Sequence, residues 1–304
     1  MVDIRRGLKV AFQGELGAYG EEAVRLFFGP DAEAVPSREF RDVGAAVMGQ
    51  AVDYGALPIE NTLAGGVGPC LDVLMDPGLE VVGEVVVPIH ICLLGAPGAT
   101  IGDVRKVLSH PVALAQCGRF IATHSGLQAV ATYDTAGAAL EVQRLGGPDT
   151  GALASRAAAQ RYGLAVLAAD VEDRPDNQTR FLVIARRGAE RPPRQGAGGG
   201  RKTAVVLETA NQPGALVKTL LAFAERGINL SKLESRPTGE PWTYRFFLEI
   251  DVDAATPNAH LALEDARNRC RMLRVLGSFD QALSHAPAPS GAVVSDQRPL
   301  PNRA

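Results

Sequence analysis

Through the first 187 residues, short apolar runs rich in β-branched side chains alternate with alanine-rich stretches whose apolar positions recur at helical spacing. LKVAFQG (8–14) precedes AYGEEAVRLFFG (18–29), DYGALPIE (53–60) precedes GPCLDVLMD (68–76), and VRKVLSHP (104–111) precedes VALAQCGRFIATH (112–124). LQAVATYD with TAGAALEVQRLG, and TGALAS with RAAAQRYG, continue the series. This alternation predicts an α/β architecture with largely parallel sheets over residues 1–187. Residues 188–202, GAERPPRQGAGGGRK, carry proline and glycine without apolar periodicity and read as a linker. A second unit over 203–283 follows. TAVVLET, a helix opening near Pro213, INLSKLESRP, TYRFFLEIDV, a helix from Pro257 to Cys270 and MLRVLGSFD give the order βαββαβ, a ferredoxin-like domain. Residues 284–304 have no pattern that could bury a face and are expected to be disordered.

Composition and charge narrow the function. The chain has 304 residues, 46% of them hydrophobic and 21% charged, enough for two or three globular domains. A net charge of −3 without a basic cluster gives nucleic acid no footprint, so small molecules and other proteins are the expected partners. Cys70, Cys92, Cys117 and Cys270 lie far apart, which suggests neither a zinc site nor a disulfide framework, and reduced cytoplasmic thiols are expected. The N-terminus enters a strand without an apolar leader, and the longest apolar stretch, VVVPIHICLLG, is interrupted by Pro88 and His90. No membrane span is expected.

Candidate chemistry gathers where strands end. In LPIENTLAGGVGPC, Glu60, Asn61 and Thr62 follow an apolar run and precede a glycine-rich turn. In α/β sheets ligands collect at the carboxyl ends of strands. There a glutamate can hold or transfer a proton, and Asn and Thr can donate and accept hydrogen bonds; Asn61 and Thr62 could equally cap a following helix. FQGELGAYGEEAV places Gly17, Ala18 and Tyr19 at a helix start, where free N–H groups could receive an anion. Ser109 and His110 precede Pro111, and Asp134 and Thr135 stand at another helix entrance, both explicable as caps. DNQTRFLVIARR sets Thr179 and Arg180 before an apolar strand, and a carboxylate is the natural bidentate partner of such an arginine.

Taken together, these segments resemble prephenate dehydratases over nearly the whole chain. PIENT is similar to the family's PIENS, SHPVALAQC to its SHPQALAQC, YDTAGAA to its D-[ST]-A-x-A-A and QTRF to its TRF signature. The second unit resembles an ACT regulatory domain through NQPGALVKTL and KLESRP. Gly20 replaces a common Ser, Thr62 a Ser and Val112 a Gln, and GAYG is closer to the GAYS of plant arogenate dehydratases than to GTFS. The resemblance implies a two-lobed catalytic domain similar to a periplasmic binding protein, with the site in the cleft. It also implies conversion of prephenate, or alternatively arogenate, to an aromatic product with loss of water and CO2, without cofactor or metal. Thr179, Glu60 and Asn61 are the implied catalytic residues, with Thr179 assisted by Glu60 or an ordered water as proton source. Gly17, Ala18, Tyr19, Thr62, Ser109, His110, Arg180 and Phe181 are the implied substrate contacts. Asn211, Gln212, Pro213, Gly214, Ala215 and Leu216, with Glu234, Ser235, Arg236 and Pro237, are the implied phenylalanine site between paired ACT units, requiring a homodimer or homotetramer. A solute-binding receptor would normally carry an export signal, and a noncatalytic amino-acid sensor would lose PIEN and TRF. An appended chorismate mutase is not expected, since about seven residues precede the first strand.

Overall fold

The computed structural model describes residues 7–192 and 200–282; the expected tail at 284–304 and residues 193–199 of the expected linker lie outside the described residues. The first lobe is built from β1 (Lys9–Gln13), α1 (Tyr19–Phe28), β2 (Glu33–Ser37), α2 (Phe40–Met48), β3 (Tyr54–Asn61), the two-residue β4 (Gly65–Gly66), α3 (Gly68–Val73) and β5 (Leu79–Pro88). The chain then crosses at 89–91 into the second lobe. There it forms β6 (Cys92–Gly95), β7 (Lys106–Ser109), α4 (Pro111–Gln116), α5 (Gly118–Thr123), β8 (Gln128–Ala131), α6 (Thr135–Leu145), β9 (Thr150–Ala154), α7 (Arg156–Tyr162) and β10 (Ala165–Ala168). It returns through 169–177 into β11 (Gln178–Arg186), which inserts between β3 and β5 and completes the first sheet, β2-β1-β3-β11-β5. The second sheet has the order β10-β6-β9-β7-β8. The two crossovers are tied together: Val171 N–H donates to the Ile91 carbonyl at 2.9 Å and Ile89 N–H to the Asn177 carbonyl at 2.8 Å. The result is two lobes joined by two crossovers, as the resemblance implies.

Both sheets are more mixed than the alternation predicts. β1 is parallel to β2 and β3, and β7 to β8 and β9, but β11 is antiparallel to both neighbours, and β6 is antiparallel to β9 and β10. The first strand after each crossover, β6 in the second lobe and β11 in the first, runs against the rest of its sheet. The stretch 112–124 forms two helices rather than one because Cys117, at φ −111° and ψ 26°, leaves the helical region. Side-chain caps open α6, where Asp134 accepts from Gly137 N–H at 2.9 Å, and α7, where Ser155 accepts from Ala158 N–H at 3.0 Å.

Residues 201–280 fold as β12 (Arg201–Glu208), α8 (Ala215–Ala224), β13 (Leu230–Pro237), β14 (Tyr244–Ile250), α9 (Pro257–Asn268) and β15 (Met272–Asp280), in an antiparallel sheet of order β13-β14-β12-β15. Alternation along the strands gives this sheet two apolar faces. Val205, Leu207, Leu248 and Ile250 pack with Phe223 of α8 and Leu263 of α9. Ala204, Val206, Phe247 and Leu276 pack instead on Leu57, Ile59, Leu182 and Ile184 of the first lobe. At Gly277 a Cβ would lie 2.0 Å from the Val81 carbonyl oxygen, so only glycine permits this approach of sheet to sheet. The central strands β3 and β11 thus present one face to α1 and the second lobe, and the other to the C-terminal domain.

Candidate active site

A ring of three amides closes the junction of the two lobes. Asn61 Nδ2 donates to Asn177 Oδ1 at 2.8 Å, Asn177 Nδ2 to Gln116 Oε1 at 3.0 Å, and Gln116 Nε2 to Asn61 Oδ1 at 3.2 Å. One member comes from each lobe and one from the returning crossover. Asn61 Nδ2 also donates to Thr179 Oγ1 at 2.9 Å, while its Oδ1 accepts from the N–H groups of Leu63 and Ala64. The Thr179 hydroxyl thus accepts from Asn61, which leaves its own hydrogen free to be donated. Polarisation by the accepted bond makes it a better donor.

The neighbouring carboxylate faces the other way. β11 pairs Phe181 with Pro58 but Arg180 with Glu60, so Ile59 is an extra residue on β3. A bulge of this kind re-aims the side chains that follow it. Glu60 therefore turns with Arg180 toward the C-terminal domain, and Asn61 turns with Thr179 toward the hinge. Burial pushes the Glu60 carboxyl up, but its hydrogen bond to Arg180 and the charge of Lys232 outweigh this and hold it below the usual carboxylate range. Glu60 is an ionised partner of Arg180 and Lys232, not the proton donor expected from the sequence. Arg180 likewise faces away from the lobe junction, where a substrate contact was expected: its guanidinium donates to Glu249 and Glu60.

The remaining expected contacts divide. Gly17 N–H is occupied by Glu21 Oε2 at 2.6 Å and Ala18 N–H by the Glu15 carbonyl at 3.1 Å, so neither can hold an anion as expected. Gly17 is required by proximity, since a Cβ would lie 2.9 Å from Ala158 Cα of α7. In the first turn of α1 the N–H groups of Glu21 and Glu22 donate to the Ala18 carbonyl at 3.0 and 3.3 Å, and those of Tyr19 and Gly20 lack acceptors within the helix. The Tyr19 hydroxyl donates to the His90 carbonyl in the hinge at 2.7 Å, and burial followed by the charge of Glu22 pushes its pKa up. Gly20 has no room for a serine side chain, because Phe12 would lie 2.7 Å from its Cβ. Thr62 staples the crossover: its N–H donates to the Gln178 carbonyl at 2.9 Å, and its hydroxyl oxygen accepts from the Gln178 N–H at 3.0 Å. Ser109 is fully buried and donates to the Leu153 carbonyl at 2.6 Å, a structural role rather than a lining one. His110 caps α4 through Nδ1, and burial lowers its pKa despite the charge of Asp134. Phe181 is buried in the core shared with α1. Asn177 and Gln116 escaped the sequence reading, although each is an amide in a segment otherwise recognised, DNQTRFLVIARR and SHPVALAQC.

In the C-terminal domain, a cavity of about 220 Å³ is lined by Asn211, Gln212, Gly214, Ala215 and Leu216 on one side and by Trp242, Tyr244 and Phe246 on the other. Pro213 is exposed beside it. The second expected segment does not reach this cavity. Alternation on β13 turns Glu234 and Arg236 toward the first lobe, where Glu234 pairs with Lys232 at 3.0 Å and Arg236 with Asp72 at 3.0 Å. Ser235 and Pro237 are exposed on the opposite face of this edge strand.

A family model described as prephenate dehydratase matches residues 10–189, and one described as ACT domain matches residues 203–264. The chain belongs to the prephenate dehydratase family. Among curated relatives, arogenate dehydratase 2 of Petunia hybrida is 42% identical over 291 residues, covering 90% of this chain and 71% of that protein. Among solved structures, the prephenate dehydratase of Arthrobacter aurescens in complex with L-Phe aligns with a TM-score of 0.82 at 32% identity, over 90% of each chain. A structure described as GqqA, a novel type of quorum quenching acylase, aligns with a TM-score of 0.80 at 36% identity, over 90% of this chain and 97% of that one. The amide ring and Thr179 of this prephenate dehydratase family member lie inside the first matched region, and the 220 Å³ cavity inside its ACT domain.

Proposed function

We propose that this chain is a prephenate dehydratase, converting prephenate to phenylpyruvate, water and CO2 in phenylalanine biosynthesis, with arogenate as the alternative substrate. Supporting this reading is the Asn61–Thr179 pair at the lobe junction, with the Thr179 hydroxyl hydrogen left free for an incoming acceptor. Prephenate carries two carboxylates and a 4-hydroxyl on a cyclohexadiene ring. The ring C–CO2 bond breaks, its electron pair enters the ring, the C4–O bond breaks, and hydroxide leaves as water after gaining one proton. Aromatisation provides the drive, so the protein must position, exclude water and stabilise the departing oxygen. Thr179 donates to that oxygen, and the proton is supplied by bulk solvent relayed through an ordered water, because Glu60 is ionised and faces away. Asn61, Asn177 and Gln116 hold Thr179 in place and close one lobe on the other. The N–H groups of Tyr19 and Gly20, at the start of α1, receive a carboxylate.

Phenylalanine regulates the enzyme from the ACT cavity beside Asn211–Leu216 and Trp242. A second copy, pairing through the β13 edge, brings Ser235 and Pro237 to the cavity, so the regulated form is at least a homodimer. Among the described residues, no helix is long and apolar enough to cross a membrane, and a cytoplasmic location is proposed. Parallel assays of prephenate, arogenate and an N-acyl homoserine lactone test the reading. Turnover of prephenate to phenylpyruvate supports it, faster turnover of arogenate moves the substrate, and lactone side-chain hydrolysis alone overturns it.

A further inference from the structure

Directly behind the candidate chemistry lies a buried cluster of charge. Glu60 and Arg180 pair in register beside Asn61 and Thr179, but their side chains pass through the sheet to the ACT domain. Arg180 Nη1 donates to Glu249 Oε1 and Oε2 at 2.8 and 2.9 Å, and Nη2 to Glu60 Oε2 at 2.9 Å. Lys232 of the ACT sheet reaches the same Glu60 oxygen at 3.3 Å. Glu84 lies 3.5 Å from Arg180, and one of its carboxylate oxygens has no hydrogen-bond partner among the described residues. The side chains of Arg180, Glu249 and Glu84 are 15%, 4% and 3% exposed.

Cohesion alone does not account for this arrangement. Buried ion pairs seldom hold surfaces together better than apolar residues of the same volume, and an incompletely satisfied cluster is worse still. What such a cluster supplies is direction, and it is placed at the one irregular step of the β3–β11 ladder, the bulge at Ile59. We propose that Arg180 is a positioning residue: clamped between Glu60 of β3 and Glu249 of the ACT sheet, it fixes the register of Asn61 and Thr179. The docking of the ACT domain thereby reaches the reacting groups through Arg180, with Lys232 on Glu60 and Lys202 on Glu249 and Glu84 completing the cluster. This deepens the dehydratase reading and rests on it.

Steady-state kinetics of the full chain on prephenate, with and without phenylalanine, test the role in Glu249→Gln, Glu249→Asp, Arg180→Lys and Glu60→Gln. Glu60 is 42% exposed, so its variant folds even where a buried substitution fails. Glu249→Gln and Glu60→Gln lower kcat about tenfold with KM held, Glu249→Asp recovers part of the loss, and phenylalanine binds by calorimetry as before but changes the rate less. A rise in KM alone for Arg180→Lys would make it a substrate ligand and overturn the proposal. So would unchanged kcat and phenylalanine response in every variant, with only the thermal midpoint lowered. No turnover by the wild type would overturn the dehydratase reading itself, and the proposal with it, before any variant is compared.

Discussion

Thr179→Val isolates the hydroxyl that the mechanism depends on. Valine keeps the branched shape that a strand accommodates and deletes one oxygen. In the folded protein that oxygen only accepts, from Asn61 Nδ2 at 2.9 Å. Asn61 Nδ2 has two hydrogens and retains Asn177 Oδ1 and the Gln178 carbonyl as acceptors at 2.8 and 3.1 Å, so no buried donor is orphaned. The stability cost is then at the low end for a neutral hydrogen bond, about 0.5–1 kcal/mol. The transition state loses much more, because a donor aimed at developing negative charge is worth about 3–4 kcal/mol. The expected result is a fall in kcat of roughly two to three orders of magnitude, with KM nearly constant and Thr179→Ser retaining most activity. Initial rates of phenylpyruvate formation, alongside thermal melts by circular dichroism, measure both quantities. A valine variant within about threefold of wild type, or one altered only in KM, would refute the assignment of the hydroxyl to the leaving oxygen.

Asn61→Asp replaces a donor that faces three acceptors with an acceptor; it is expected to cost about 1–3 kcal/mol in urea unfolding and to redirect the Thr179 hydroxyl, lowering kcat as severely as Thr179→Val. Gly277→Ala drives a methyl into the Val81 carbonyl, and thermal unfolding is expected to show a loss of about 1–3 kcal/mol with faster hydrogen exchange in β5. The Glu60 carboxyl is held low in the folded state, so its contribution is complete above the ordinary carboxylate range and is lost as pH falls through its lowered value. Urea unfolding from neutral pH downward should show an acid-side decline that Glu60→Gln flattens; an identical decline in both proteins would exclude this group as its source.

The order of elements in the ACT unit was legible to within a few residues because its strands alternate cleanly and its helices open at Gly214 and Pro257; β12 begins at Arg201, inside the expected linker, and α9 ends at Asn268 rather than Cys270. In the first lobe, β2 and α2 were missed, since EAVPS carries a proline and FRDVGAAVM few large apolar residues. Thr179 and Asn61 were found at strand ends and are brought together. Glu60 was misplaced for a local reason: an unbroken alternation from Tyr54 would aim it at the cleft, and the extra residue at Ile59 reverses it, whereas Arg180 faces the C-terminal domain by plain alternation with Leu182 and Ile184. A bulge leaves no mark in the order of apolar and polar residues. Nor does the occupation of a backbone N–H by Glu21, which only the folded helix reveals. The division of β13 between Glu234 and Arg236 on one face and Ser235 on the other follows from strand geometry alone and was readable once the strand was assigned.

The insertion of β11 between β3 and β5 also dictates how the chain can be made. On a ribosome, β3 and β5 emerge about a hundred residues before the strand that belongs between them. The inserted lobe, whose own five strands are contiguous in sequence, can close in the interval, while the first lobe waits with two unpaired edges. Its completion, and with it the meeting of Asn61 and Thr179, is therefore a late event of synthesis. A nascent chain halted before Arg186 should be the species that needs a chaperone, and the one most prone to aggregate.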